Sequence, residues 1–186
     1  MSKTEKSYAA IHHALEKLML ERDYESINVS DIIAESGVAR STFYAHYKCK
    51  DDVLVELSNH IFEHVFSANL KKEKEHDFSN SPAFDYRHIV THTFCHFVED
   101  KALISAIFRS GASHVFTESL REKSLPLIEA VYSANPPFMP NAPKDIGISI
   151  LQGAFIDLLK SYVTNDRPET PEQMADFFFA IRFPKQ

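Results

Sequence analysis

The chain has 186 residues with 15 Phe, no Trp, only four Gly and two Cys, and its formal charge is −6. So few glycines argue against a turn-rich β-fold and against Gly-rich phosphate loops, while Cys49 and Cys95 alone make no disulfide framework. No run of eighteen apolar residues and no N-terminal signal core is present, so a cytoplasmic chain without a membrane partner is expected, long enough for one small and one medium helical unit.

The acidic balance is uneven along the chain. Residues 1–50 carry seven Lys/Arg against seven Asp/Glu, so the excess acid lies downstream. Lys3, Lys6, Arg40, Lys48 and Lys50 can converge on one edge of a neutral N-terminal part, and an acidic remainder discourages indiscriminate binding to nucleic acid.

In chain order, Ile11, Ala14, Leu15, Leu18 and Met19 form the apolar stripe of an amphipathic helix over Lys6 to Arg22. Tyr24, Ile27 and Val29 follow in a connector. Ser30 is expected to N-cap a second helix with Ile32 and Ile33 on its apolar side, and Gly37 supplies the positive φ needed to leave it. After the turn Gly37-Val38-Ala39, Arg40-Ser41-Thr42 opens a third helix. Phe43 and Tyr47, four apart, share its inner face and are expected to pack on Ile33 and Val38; Arg40, Ser41, Tyr44, Ala45 and His46 occupy the other. A short helix with polar tips is the size a major groove admits. Expected contacts to double-stranded DNA are Ser30, Arg40, Ser41, Thr42, Tyr44, His46, Tyr47, Lys48 and Lys50, with both lysines on phosphates and Tyr47 mainly packing.

The run Ser30-Asp31-Ile32-Ile33, Ser36-Gly37-Val38, Ser41-Thr42-Phe43-Tyr44, His46-Tyr47-Lys48 and Lys50-Asp51-Asp52 resembles, without a gap, the signature of TetR/AcrR (tetracycline-repressor-like) transcription regulators. The likeness is strong over residues 7–57. It implies an all-α chain: a three-helix helix-turn-helix head at residues 1–50, joined by a connecting helix at 51–70 to a helical regulatory and dimerisation domain that completes 51–186. A homodimer repressing from a palindromic operator is the mode the resemblance implies, and Gln152-Gly153-Ala154 is similar to the family's dimerisation helix. Asp23 departs from the pattern, standing where relatives usually place a helix-capping Gly; Asp tolerates left-handed geometry better than most residues.

Asp51 and Asp52 suit the first turn of the next helix, whose stripe is Val53, Leu54, Leu57, Ile61 and Val65. Lys71 to Asn80 is charged and aperiodic, a surface loop, and Ser81-Pro82 restarts a helix. Helices are expected over Asp85 to Asp100, around Leu103 to Phe108, and over Ala112 to Tyr132, where Pro126 should kink or split the stretch. Asn135 to Pro143 is a proline-set loop. Lys144 to Val163 is the strongest late helix, and Thr170-Pro171-Glu172-Gln173 has the form of a capping box for the last. Both final helices are apolar on more than one side. A four-helix bundle with a second copy would bury Ile150, Gly153, Ala154, Leu158, Met174, Phe177, Phe178 and Ile181.

Effector binding is expected in a cavity walled by Phe62, Phe66, Phe94, Phe97, Phe108, Phe116, Phe155 and Tyr162, tilting the connecting helices and moving one head relative to the other. The effector is unknown, and ordinary core is the plainer reading of any one of these rings. No cofactor is implied. Histidines at 88, 92 and 96 recur on one face, as do His60 and His64, and such spacing can bind Zn²⁺, although surface histidines are commoner. A regulator sensing a metal or a protein partner is the alternative. A metal-dependent phosphohydrolase built on His76-Asp77 is the rival from another class, set against a charged loop that scaffolds catalysis poorly and the absence of a nucleophile elbow, so no enzyme is expected.

Overall fold

The computed structural model describes residues 3–66, 86–134 and 142–182. Within them the chain is helical and free of strands, with α1 Lys3–Glu21, a 3₁₀ turn Tyr24–Ser26, α2 Val29–Ser36, α3 Arg40–His46 and α4 Lys50–Val65. Then come α5 Tyr86–Glu99, α6 Lys101–Arg109, α7 Ser113–Ser133, α8 Lys144–Thr164 and α9 Pro171–Arg182. The expected loop 71–80, the Ser81-Pro82 restart, the His76-Asp77 dipeptide and most of the proline loop lie outside the described residues.

Two compact units are present. The first comprises Met1–Ile61 and Ala102–Ser119, the second Phe62–Lys101 and Leu120–Gln186. In the first, the α1 stripe buries Ile11, Ala14, Leu15, Leu18 and Met19 against Ile32, Phe43, Val53 and Leu54, all almost fully enclosed. Each such side chain contributes about 1.5–3 kcal/mol on burial, which fixes short helices that could not persist alone.

Local capping differs from expectation at one end. Asn28, not Ser30, caps α2: its side chain accepts from the Asp31 N–H at 3.2 Å while Asp31 Oδ2 accepts from the Asn28 N–H at 2.9 Å. The reciprocal pair needs its two members three apart, and Asn28-x-x-Asp31 supplies that spacing with Val29 already helical. Ser30 is left exposed on the first turn. Gly37 ends the helix at φ 67, the one positive φ among the described residues, so Asp23 makes no use of left-handed geometry and stays extended at φ −61.

In the second unit α5 packs on α8 and α9. Rings bridge these elements: Phe94 meets Phe155 and Tyr162 edge-on at 6.3 and 5.6 Å, and Phe155 meets Phe178 at 5.3 Å. The Thr170–Gln173 box forms as expected, with the Thr170 N–H donating to Gln173 Oε1 at 2.9 Å. Pro126 lies inside α7 without splitting it. Leu120, Ser124, Ile128 and Val131 are buried on both sides of the proline, and that packing holds the helix through the lost donor. The most apolar helix, α8, is long enough to cross a membrane by composition alone, yet half of that window is buried inside the protein.

Candidate nucleic-acid interface

The short helix α3 has two faces of opposite character. Phe43 and Tyr47 are sealed in the core at 0% and 3% exposure, their rings 5.7 Å apart. Arg40, Ser41, Tyr44 and Ala45 are exposed, and Thr42 and His46 are half-buried. The spacing that buries the two rings at i and i+4 forces residues at i−3, i−2, i+1 and i+2 outward. Arg40 lies over the Tyr44 ring, its guanidinium carbon 5.1 Å from the centroid, and donates to the Tyr44 hydroxyl at 3.4 Å. The pair therefore holds an extended cation against an exposed aromatic before any partner arrives.

The end of α3 is braced by α1. His46 stacks on Tyr8 at 4.5 Å between ring centroids, and His12 Nε2 lies 3.0 Å from the Tyr47 hydroxyl. Burial pushes the Tyr47 hydroxyl well above the usual phenol range, and its hydrogen bond to Glu56 adds to this. Tyr47 is thus an internal strut. Its side chain faces the core, not a phosphate.

The two lysines of the expected phosphate edge part company. Lys48 is exposed, and its N–H donates to Asp52 Oδ2 at 2.8 Å, leaving the side chain on the outer surface. That bond is the largest cause holding the Asp52 carboxyl below the usual range. Lys50 instead turns inward. Its Nζ donates to the carbonyls of Tyr24 and Ile27 at 2.6 and 2.8 Å and sits 4.1 Å from the centre of the Tyr24 ring. An ammonium held this way is not presented to DNA, so the expected phosphate contact is corrected. A four-carbon stem can reach either side of a helix end, and sequence spacing does not say which.

Other expected sites are distributed as follows. Of the supposed cavity wall, Phe108 and Phe116 pack edge-on at 5.1 Å in the first unit, whereas Phe62, Phe66, Phe94, Phe97, Phe155 and Tyr162 belong to the second. Phe62 stacks on Phe97 at 6.4 Å and touches Phe66 at 6.1 Å. These rings meet one another. A cleft of about 300 Å³ opens elsewhere, beside the end of α1, between Met19 to Tyr24 and Ala106, Arg109 and Ser110.

Of the expected dimer surface, Ile150 and Phe177 are about half exposed, and Gly153, Ala154 and Leu158 are half-buried; a Cβ on Gly153 would meet open space. Met174 and Phe178 face inward at 2% and 0%, which removes them from that surface, and the Ile181 side chain lies outside the described residues. Ile146, one turn before Ile150 and 46% exposed, belongs with the outward group and was missed. Gln152 also faces inward, donating to the Arg121 carbonyl at 2.8 Å.

The histidine stripe does not assemble a metal site. His92 is fully buried with Nδ1 3.3 Å from the Val65 carbonyl, its Nε2 is 2.9 Å from His96 Nε2, and His96 Nδ1 is 3.0 Å from Glu99. His88 does not complete the pair, and among the described residues no three His, Cys, Asp or Glu groups are arranged to hold an ion. The sequence signal that could have revealed the internal roles was present in two places: Asn28-x-x-Asp31 as a cap, and Tyr8 and His12 one turn apart on α1, facing the end of α3.

A polar helix displayed on a buried three-helix head defines a helix-turn-helix DNA-binding protein. The model for bacterial regulatory proteins of the tetR family matches residues 11–57, and that for a transcriptional regulator C-terminal region matches residues 85–182. The chain belongs to the TetR family of transcriptional regulators. It is similar to the HTH-type transcriptional regulator YuxN of Bacillus subtilis (strain 168), 28% identical over 168 residues that cover 90% of this chain and 50% of YuxN. The chain thus spans about half the length of that relative. Among solved structures it is similar to a TetR transcriptional regulator from Streptococcus agalactiae 2603V, with TM-score 0.77 and 24% identity over 96% of this chain and 94% of the other. The regulator RolR in complex with resorcinol has TM-score 0.57 and 17% identity over 97% and 89% of the two chains.

Proposed function

We propose that this chain is a cytoplasmic repressor that binds a palindromic DNA operator as a homodimer and is released by a small ligand held in the C-terminal domain. The observation that carries the reading is the outward face of α3, where Arg40, Ser41 and Tyr44 stand exposed on a helix whose other face is locked into the core. Arg40 suits the O6/N7 edge of guanine, and Tyr44, Ser41, Thr42 and Lys48 suit phosphates or base edges. Ser30, at the exposed start of α2, and His46 are placed for backbone contacts.

Dimerisation is supported by Ile146, Ile150 and Phe177, large apolar side chains exposed on α8 and α9. Two copies sharing such a surface would present two α3 helices, and reading a palindrome requires them about 34 Å apart or a multiple of it. Release by a ligand is supported by the resorcinol complex of RolR, a protein of the same fold. A ligand shifts the equilibrium only through differential affinity for two states, about 1–3 kcal/mol in typical coupling.

Selection of bound sites from a pool of random duplex DNA tests the reading. Enrichment of an inverted repeat, with a sedimenting mass twice that of one chain, is the expected result. Failure to enrich any sequence would refute it.

A further inference from the structure

The helix-turn-helix is closed at its base by one side chain. Lys50 sits at the first turn of α4, just after the recognition segment, and its two carbonyl partners, Tyr24 and Ile27, stand just before it. Residues 28–49 are thereby enclosed between Ile27 and Lys50. The ammonium has three N–H groups. Two donate to carbonyls that cap the 3₁₀ turn, and the Tyr24 ring lies against the cation at 4.1 Å.

Three further contacts fix the same turn. Tyr24 donates its hydroxyl to Asp51, the residue after Lys50. Glu25 accepts the Gly111 N–H from the segment between α6 and α7. Ser26 closes the turn on itself, its hydroxyl donating to the Asp23 carbonyl at 2.7 Å. Lys50 therefore grips an anchor that is itself held in place, and reaching a phosphate would strand two carbonyls and an aromatic face.

We propose that Lys50 is a positioning residue for DNA reading: it clasps the helix-turn-helix against the 3₁₀ turn and sets the angle at which α3 is presented, without touching nucleic acid. The inference rests on the DNA-binding reading above. Its signature is separable from charge neutralisation, because each phosphate a protein neutralises adds about 0.9 to the slope of log affinity against log salt, whereas an internal clasp adds nothing to it.

The test uses the full-length protein and the duplex enriched from the random pool, at a temperature well below the melting of every variant, so that loss of fold does not contribute. Lys50→Met keeps the stem and removes the charge. It is expected to weaken binding by about tenfold or more, as for losing charge-assisted bonds at a hinge, with the salt slope of the parent protein. Lys48→Ala serves as the contrast and should lower the slope by about 0.9 per subunit. Unchanged affinity for Lys50→Met, or a slope lowered as in Lys48→Ala, would overturn the proposal. If Lys50→Met does not fold, the ¹⁵N resonance of the Lys50 ammonium in the unaltered protein decides: it should stay in place on adding the duplex, and a shift matching that of Lys48 would count against the clasp. Failure of the unaltered protein to bind any duplex is a different result, and sinks the DNA reading itself.

Discussion

The hydroxyl of Tyr47, at the end of the recognition helix, lies 3.0 Å from His12 Nε2 on α1. Tyr47 uses its single proton toward Glu56, so the His12 ring must donate its Nε2–H to the Tyr47 oxygen. Burial depresses the affinity of His12 for a second proton, Glu56 partly opposes this, and His60 adds to it.

The consequence is a stability that depends on pH in one direction. The unfolded chain binds a proton at His12 near the usual value of about 6.5, and the folded chain only at lower pH, so between the two the unfolded state carries more protons. Stability is fully present above that value and declines as pH falls through the window beneath it. Urea unfolding at pH values on either side of about 6.5 should show this, and His12→Gln, which retains an N–H donor, should flatten the dependence. An equal decline in His12→Gln would assign it to other groups.

Arg40 and Tyr44 should separate by sequence selectivity. Arg40→Ala removes a guanidinium suited to guanine and is expected to cost about 1–3 kcal/mol on the preferred duplex while relaxing discrimination at one base pair. Tyr44→Phe leaves the ring beneath Arg40 and removes only the hydroxyl, for about 0.5–1.5 kcal/mol spread evenly over sequences. Binding isotherms on the selected duplex and on single-base variants give both numbers.

Loss of the Asn28 cap should loosen α2. Asn28→Ala leaves the Asp31 N–H without its acceptor and should lower stability by about 0.5–2 kcal/mol in denaturant titrations. The reciprocal partner titrates in acid. The Asn28 N–H, followed by Arg22, holds the Asp31 carboxyl below the usual carboxylate range, so this contribution is present above about pH 4 and disappears as pH falls through the lowered value.

Neighbouring phenylalanines on α9 should fail in different ways. Phe177→Glu places a charge on an exposed apolar position and is expected to yield folded monomers by sedimentation. Phe178→Ala empties a site packed against Phe155 and should cost about 3–5 kcal/mol of stability. Folded dimers from Phe177→Glu would remove that residue from the interface.

How much of this could be read in advance follows from where the sequence offers a contrast. The head was legible because polar and apolar positions alternate sharply there: Phe43 and Tyr47 stand among Arg, Ser and His, so one face could only be inward. On α8 and α9 nearly every direction is apolar, and no polar side sets the phase; Met174 and Phe178 therefore could not be told from Phe177. The i, i+4 histidines look alike whether they face solvent or the interior, and it is the Val65 carbonyl, distant in sequence, that takes His92 inside. Lys50 was misplaced for a similar reason. Its charge was visible, but the carbonyls that claim it lie more than twenty residues upstream.

The left-handed residue at Gly37 has open space where a side chain would project. What the bend requires is therefore chirality, not smallness. An L-alanine there should cost about 1–2 kcal/mol although it touches nothing, because its own backbone resists that φ. A D-alanine installed by semisynthesis meets no such resistance and, by restricting the denatured chain, should raise stability by about 0.4–1 kcal/mol. This bend is a place where a mirror-image building block would serve the protein better than any the ribosome can supply.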